Sequence, residues 1–135
     1  MNCNPNDIKA IAKSYACRIW DKKDLTAVEE FLEPNIVIHT LLGDFLGQKP
    51  MKDVIQAWLK AFPDLKVNNN DIIAEGDLVM IHWSAKGTHL GEFKGIQATH
   101  KPISYAGVTL YRIRDGKIFD YAAYLDMNHL LKQIS

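Results

Sequence analysis

Two cysteines, Cys3 and Cys17, are all this chain of 135 residues carries. They are too few and too far apart for a disulfide framework or a CxxC pair. Excess charge is missing as well: 16 Lys and Arg balance 16 Asp and Glu. That balance removes the electrostatic footprint of a nucleic-acid binder and of a protein drawn to anionic membranes. No apolar run approaches the ~20 residues that cross a bilayer. Residues 1–7 lack the basic and apolar regions of a secretory signal. Together with the sparse thiols, this leads to the expectation of a cytoplasmic protein with reduced cysteines. The histidines, at 39, 82, 89, 100 and 129, make no HxH or HExxH, so no metal site is expected. Neither cysteine sits in an activating setting for a nucleophile. No glycine run fits a phosphate loop, and there are no repeats, linkers or low-complexity tracts.

What is present reads as one domain over residues 1–135, long enough to bury a core without staples. Asn4-Pro5-Asn6-Asp7 is a helix-start cluster, and Ile8, Ile11, Ala12, Tyr15 and Ile19 follow at helical spacing. Leu25, Val28, Phe31 and Leu32 form a second short helix, stopped by Pro34. Residues 36–40 form a short strand ending near His39, and 41–49 form a loop. A third helix starts near Pro50 and carries Met51, Val54, Ile55, Trp58 and Phe62 on one stripe. Then come strands over 66–75 and 78–87, and a loop with three glycines between Gly87 and Gly95. Glycines so dense mark a sharp bend or a close approach to a ligand. Two runs rich in β-branched and aromatic residues flank Asp115-Gly116, the strongest short-range hairpin signal in the chain. Met127, Leu130, Leu131 and Ile134 close it as a helix. Helices gathered first and a meander after them make an α+β pattern.

Five stretches, in order, carry a resemblance: residues 34–39, 61–65, 74–77, 87–95, and Asp115-Gly116-Lys117-Ile118 followed by Asp126. In these the chain resembles the SnoaL-like polyketide cyclases, of the nuclear-transport-factor-two-like superfamily. The resemblance implies a cone-shaped α+β barrel: a strongly curved, mainly antiparallel sheet with three N-terminal helices enclosing a pocket. It implies a cofactor-free enzyme that closes a ring in a polyketide ester, with an acidic side chain near the end of the last strand as acid/base. Asp126 takes that place, with Asp120 second. The chain departs from the family's frequent Thr-Gly-Lys at Thr99-His100-Lys101. It also departs from Glu-x-Trp at Asp120-Tyr121-Ala122, where a large wall residue becomes small. Isomerases, hydrolases and non-catalytic binding modules share the fold, so fold alone does not set the reaction.

Each candidate has a functional and a structural reading. Asp126 is a general base beside Tyr124 and Ala122, in a pocket dry enough to raise its pKa. Alternatively, it is the N-cap of the last helix. His39 and His89 are hydrogen-bond donors to a developing enolate oxygen, or ordinary partly buried histidines. Tyr15, Trp58, Phe62, Trp83, Tyr105 and Tyr124 line the substrate pocket, or are core aromatics. His82 and Trp83, adjacent on a strand, face opposite ways. The expected ligand is a small hydrophobic carbonyl compound, and a non-catalytic small-ligand or protein-binding module is the alternative function. A homodimer is expected, its second sheet face covered through Tyr105, Tyr111 or the row Phe119, Tyr121, Ala123.

Overall fold

A computed structural model describes residues 7–41 and 43–135. Asn4, Pro5 and Asn6 of the helix-start cluster and Cys3 lie outside the described residues. Asp7 begins the first helix, accepting from the Ala10 amide at 3.3 Å. Helix α1 (Ile8–Trp20) buries Ala12, Tyr15, Ala16 and Ile19, the i, i+3, i+4, i+7 stripe. Helix α2 (Thr26–Phe31) ends before Glu33, and Pro34 lies inside strand β1 (Leu32–Thr40) rather than stopping a helix. Proline donates no ladder hydrogen bond. Accordingly the pairing of β1 shifts register between Leu32 and Val37, the segment that holds it.

Residues 43–46, read from sequence as loop, form strand β2 (Gly43–Leu46) against β1. Helix α3 (Gln48–Ala61) buries Met51, Val54, Ile55, Trp58 and Ala61. Strands β3 (Lys66–Glu75), β4 (Leu78–Thr88), β5 (Pro102–Arg114) and β6 (Lys117–Leu125) follow, then helix α4 (Met127–Ile134). The hairpin between β5 and β6 turns on Asp115 and Gly116, with φ of 51° and 77°. Positive φ at both turn positions matches the right-handed twist of the strands.

The sheet runs β2-β1-β6-β5-β4-β3 and is antiparallel except where β1 pairs parallel with β6. It is curved but not closed, because β2 and β3 are free edges. The inner face carries the core. Val79, Ile81 and Ala85 of β4 point there, with Ile103, Tyr105, Thr109, Tyr111 and Ile113 of β5.

Strand β6 breaks the simple alternation. Ile113 pairs with Ile118 but Arg112 with Asp120, so Phe119 is an extra residue. The bulge shifts parity by one. Ile118 and Tyr121 both turn inward, and from there on Tyr121, Ala123 and Leu125 face in while Asp120, Ala122 and Tyr124 face out.

No helix among the described residues is long and apolar enough to cross a membrane.

Candidate functional site

A cavity lies between the inner face of the sheet, helix α1 and helix α3. Ala16 and Trp20 come from α1, and Met51, Val54, Ile55 and Trp58 from α3. The sheet contributes Trp83, Tyr105, Thr109, Tyr111, Tyr121 and Ala123. The space inside it is about 60 Å³ and is not sealed. It opens outward past Leu41, a lining residue that is 41% exposed. Among the described residues, no Asp, Glu, His, Lys or Arg lines it.

Its polar groups are hydroxyls, one amide (Asn69) and the indoles of Trp20, Trp58 and Trp83. The Trp83 indole Nε1 donates to Thr109 Oγ1 at 2.8 Å. Gly107 makes this possible. It is the cross-strand partner of Trp83, and a Cβ there would come within 2.7 Å of the indole ring. An aromatic side chain is thereby laid across a glycine on the neighbouring strand. Burial pushes the Tyr105, Tyr111 and Tyr121 phenols up, and the nearby Tyr121 adds to the first two. All three remain protonated donors near neutral pH.

Among the pocket residues expected from sequence, Trp58, Trp83 and Tyr105 line the cavity. Tyr15 and Phe62 are buried but stand behind it: Tyr15 packs edge-on to Tyr111, and Phe62 packs against Trp58 and Phe93. Tyr124 is on the opposite face and 49% exposed, because the Phe119 bulge reverses the parity assumed for it. Asp126 does not line the cavity. It is exposed and caps α4, its Oδ1 accepting from the His129 amide at 3.0 Å. His39 also faces out, with Nδ1 3.4 Å from Asp44 Oδ1 and Nε2 3.8 Å from Asp120 Oδ2. Sequence reasoning missed Thr109, Tyr111, Tyr121 and Asn69 as cavity residues. The shared face of Tyr105, Thr109 and Tyr111 was legible by parity, but sequence left it open between the pocket, where Tyr105 was expected, and an outer interface.

His89 is fully buried and does not line this cavity. Its Nδ1 accepts from the Thr99 amide at 3.2 Å and lies 2.9 Å from Thr99 Oγ1. Its ring packs on Phe62, and Nε2 has no partner. This histidine closes the glycine-rich loop on itself. The loop is also held at Asp64, which accepts from the Thr88 amide (2.8 Å) and hydroxyl (2.7 Å). The Thr88 hydroxyl, working against desolvation and helped by the Thr88 amide, holds the Asp64 carboxyl below its ordinary range. Among the described residues no three His, Cys, Asp or Glu side chains converge as a metal site requires.

The family profile of the SnoaL-like polyketide cyclases matches residues 10–134. The chain belongs to this family. AclR from Streptomyces galilaeus, provisionally described as a hydroxylase, is 30% identical over 93% of this chain and 79% of its own, with a TM-score of 0.82. IdmH from Streptomyces antibioticus, provisionally described as a polyketide cyclase, is 28% identical over 90% and 96%, at 0.75. A SnoaL-like protein from Jannaschia sp. CCS1 shares the fold at a TM-score of 0.86 with 18% identity, over 100% of this chain and 97% of its own. No curated protein matches the chain in sequence.

Both departures from the usual SnoaL-like pattern have a structural outcome. His100, in the place where many members carry glycine, keeps a left-handed backbone at φ 60°. That conformation is uncommon for a residue with a Cβ. Ala122, in the place of the frequent tryptophan, faces outward between His39 and Leu110 in the ladder. The expectation that this change opens the pocket wall is therefore corrected: it alters the outer face.

Proposed function

We propose that this SnoaL-like protein takes a small, uncharged, hydrophobic carbonyl compound into its cavity. The supporting observation is the lining: apolar and aromatic walls, neutral hydroxyls, and no ionised side chain. Such a wall penalises a charged ligand and accepts an apolar one with a few polar atoms. Filling the space tests this. Ala123→Phe is expected to leave the protein folded and to abolish binding of acetophenone measured by calorimetry. Unchanged affinity in that variant would place the ligand elsewhere.

A second reading adds catalysis of the ring-closing kind. It is favoured by one feature: Asp126 directly follows Leu125, which does line the cavity. To act as base, the exposed Asp126 side chain has to present Oδ2 to the cavity; Oδ1 caps the His129 amide, worth about 1 kcal/mol, and the two roles can coexist. Asp126→Asn separates the readings, since asparagine caps as well as aspartate. Stability is expected to stay within about 0.5 kcal/mol. In the catalytic reading, turnover of an ester or ketone substrate falls at least about 100-fold while binding persists. Turnover at the wild-type rate would remove Asp126 as the base and leave the binding function.

The homodimer belongs to this proposal on a corrected surface. Of the residues first considered for it, Tyr105, Tyr111, Tyr121 and Ala123 are interior, and Phe119 is half-buried at the bulge under Arg114. The outer face instead presents Ile73 (57% exposed) and Tyr124 (49% exposed), beside Met80, Val108 and Leu110. A second copy covering this face would bury an apolar surface that no helix covers. Sedimentation velocity is expected to show a dimer that Tyr124→Asp converts to monomer. A monomeric wild-type protein at micromolar concentration would end this part of the proposal.

A further inference from the structure

Three tyrosines converge on the cavity from two neighbouring strands. Tyr105 and Tyr111 stand on β5, and Tyr121 on β6 is the direct ladder partner of Tyr111, their rings 5.6 Å apart. Thr109, between the first two, accepts from the Trp83 indole and stands in hydrogen-bonding contact with Tyr111. An indole N–H only donates, so Thr109 Oγ1 is the acceptor in that bond. The Thr109 hydroxyl keeps its proton and a second lone pair for the neighbouring Tyr111 hydroxyl.

The Tyr105 and Tyr121 hydroxyls take part in no hydrogen bond among the described residues. The sealed, unpartnered side-chain atoms among those residues are the Tyr15 hydroxyl and His89 Nε2. The Tyr105 and Tyr121 hydroxyls are outside that sealed class and belong to cavity-lining residues. Buried hydroxyls are normally paired. A group of open donors in an apolar hollow is a place prepared for an acceptor.

We propose that Tyr105, Tyr111 and Tyr121 form an oxygen-binding subsite that holds the carbonyl oxygen of the ligand and supports negative charge when it develops there. This rests on the reading that the cavity takes an uncharged carbonyl compound, and it names the atoms that recognise it. Trp83 and Thr109 are positioning residues: the indole bond holds the Thr109 hydroxyl beside that of Tyr111. Because burial keeps the phenols protonated, the subsite offers hydrogen bonds and no fixed charge.

A matched pair of probes tests it: acetophenone, and α-methylstyrene, which has the same shape with CH₂ in place of oxygen. In a hollow without donors, desolvating the ketone oxygen makes the hydrocarbon the better ligand. With the subsite, the wild-type protein is expected to bind the ketone at least as tightly, and to lower the carbonyl stretching frequency of the bound ketone. Tyr121→Phe is expected to shift the ketone-to-hydrocarbon affinity ratio about tenfold towards the hydrocarbon. It should leave hydrocarbon affinity unchanged and return the stretch towards its value in an apolar solvent.

Tyr105→Phe serves as the second variant should Tyr121→Phe fold poorly. Tyr15→Phe is the control, since that hydroxyl is sealed away from the cavity, and it should leave the ratio alone. If the hydrocarbon binds the wild-type protein much more tightly than the ketone, the subsite is wrong and the cavity reading stands. An unchanged ratio in both Tyr121→Phe and Tyr105→Phe also overturns it. If neither probe binds, the cavity reading falls and the subsite with it.

Discussion

Gly107→Ala is expected to destabilise the protein by about 2 kcal/mol and to abolish ligand binding at the same time. The backbone of Gly107 needs no positive φ, so strain in the turn sense is not the reason. The reason is what stands over it. A Cβ at this position would overlap the Tyr124 carbonyl oxygen on one strand and the Trp83 ring on the other. The backbone of β6 can move little here, because the ladder to β5 holds Tyr124 opposite Val108 and Leu125 opposite Gly107. Relief must come from the indole. Swinging Trp83 away breaks its 2.8 Å bond to Thr109 and pushes the ring into the cavity space it borders.

Chemical denaturation and calorimetric titration measure the two effects separately. A red-shifted tryptophan emission would accompany them as Trp83 meets water. Adding Trp83→Ala to the alanine variant is expected to recover part of the stability, since one of the two overlaps is removed. Wild-type ligand affinity in Gly107→Ala would show that the indole does not shape the cavity.

This glycine also shows where the sequence is readable and where it stops. Its strand, its face and its neighbours Tyr105, Thr109 and Tyr111 follow from alternation alone. The Asp115-Gly116 turn follows from backbone chemistry within two residues, and the stripes of α1 and α3 from their own periodicity. The family is legible too, because its motifs are local. What the chain does not announce is any feature created by a partner strand. Strand β2 is four residues long and exists because β1 lies beside it. Phe119 is a bulge only by reference to β5, yet it reverses the facing of every residue from Tyr121 to Leu125.

That single extra residue explains why Tyr124 faces away from the cavity and Tyr121 into it. Counting parity from Lys117 without it sends Tyr124 and Ala122 inward and Tyr121 outward. The same miscount made Asp126 a member of a pocket wall. Its alternative reading, the helix cap, needed only the adjacent amides, and the structure realises it. Where sequence left a local and a tertiary role open for one residue, the local one is what the geometry shows, as with Asp126 and with His89 tied to Thr99.

The glycine-rich loop yields the second large effect. Its glycines were read as marking a bend or the approach of a ligand, and the approach is real, but to backbone. The Leu90 and Gly91 amides donate to the Ala61 carbonyl at 3.0 and 3.1 Å. They satisfy a carbonyl that the end of α3 leaves without an intrahelical partner. To come that close Gly91 must lack a side chain, because a Cβ would overlap the Lys60 carbonyl oxygen and lie 3.3 Å from Ala61 Cα. Both obstacles are helix backbone, which cannot rotate away as a side chain can.

Gly91→Ala is therefore expected to lift the loop from α3, break both hydrogen bonds and unseat Phe93 and His89 from Phe62. The cost is about 3 kcal/mol, read as a fall in melting temperature of about 10 °C. Gly95→Ala gives the comparison. Nothing lies within 4 Å of its Cβ position and only its φ of +85° is unfavourable, so it should cost about 1 kcal/mol. Gly91→Ala has a further signature. The loop lines no part of the cavity, so below the unfolding transition the variant should bind acetophenone with wild-type affinity. Gly107→Ala should lose that affinity while folded. If Gly91→Ala unfolds no earlier than Gly95→Ala, the contact with the end of α3 is not what holds the loop in place.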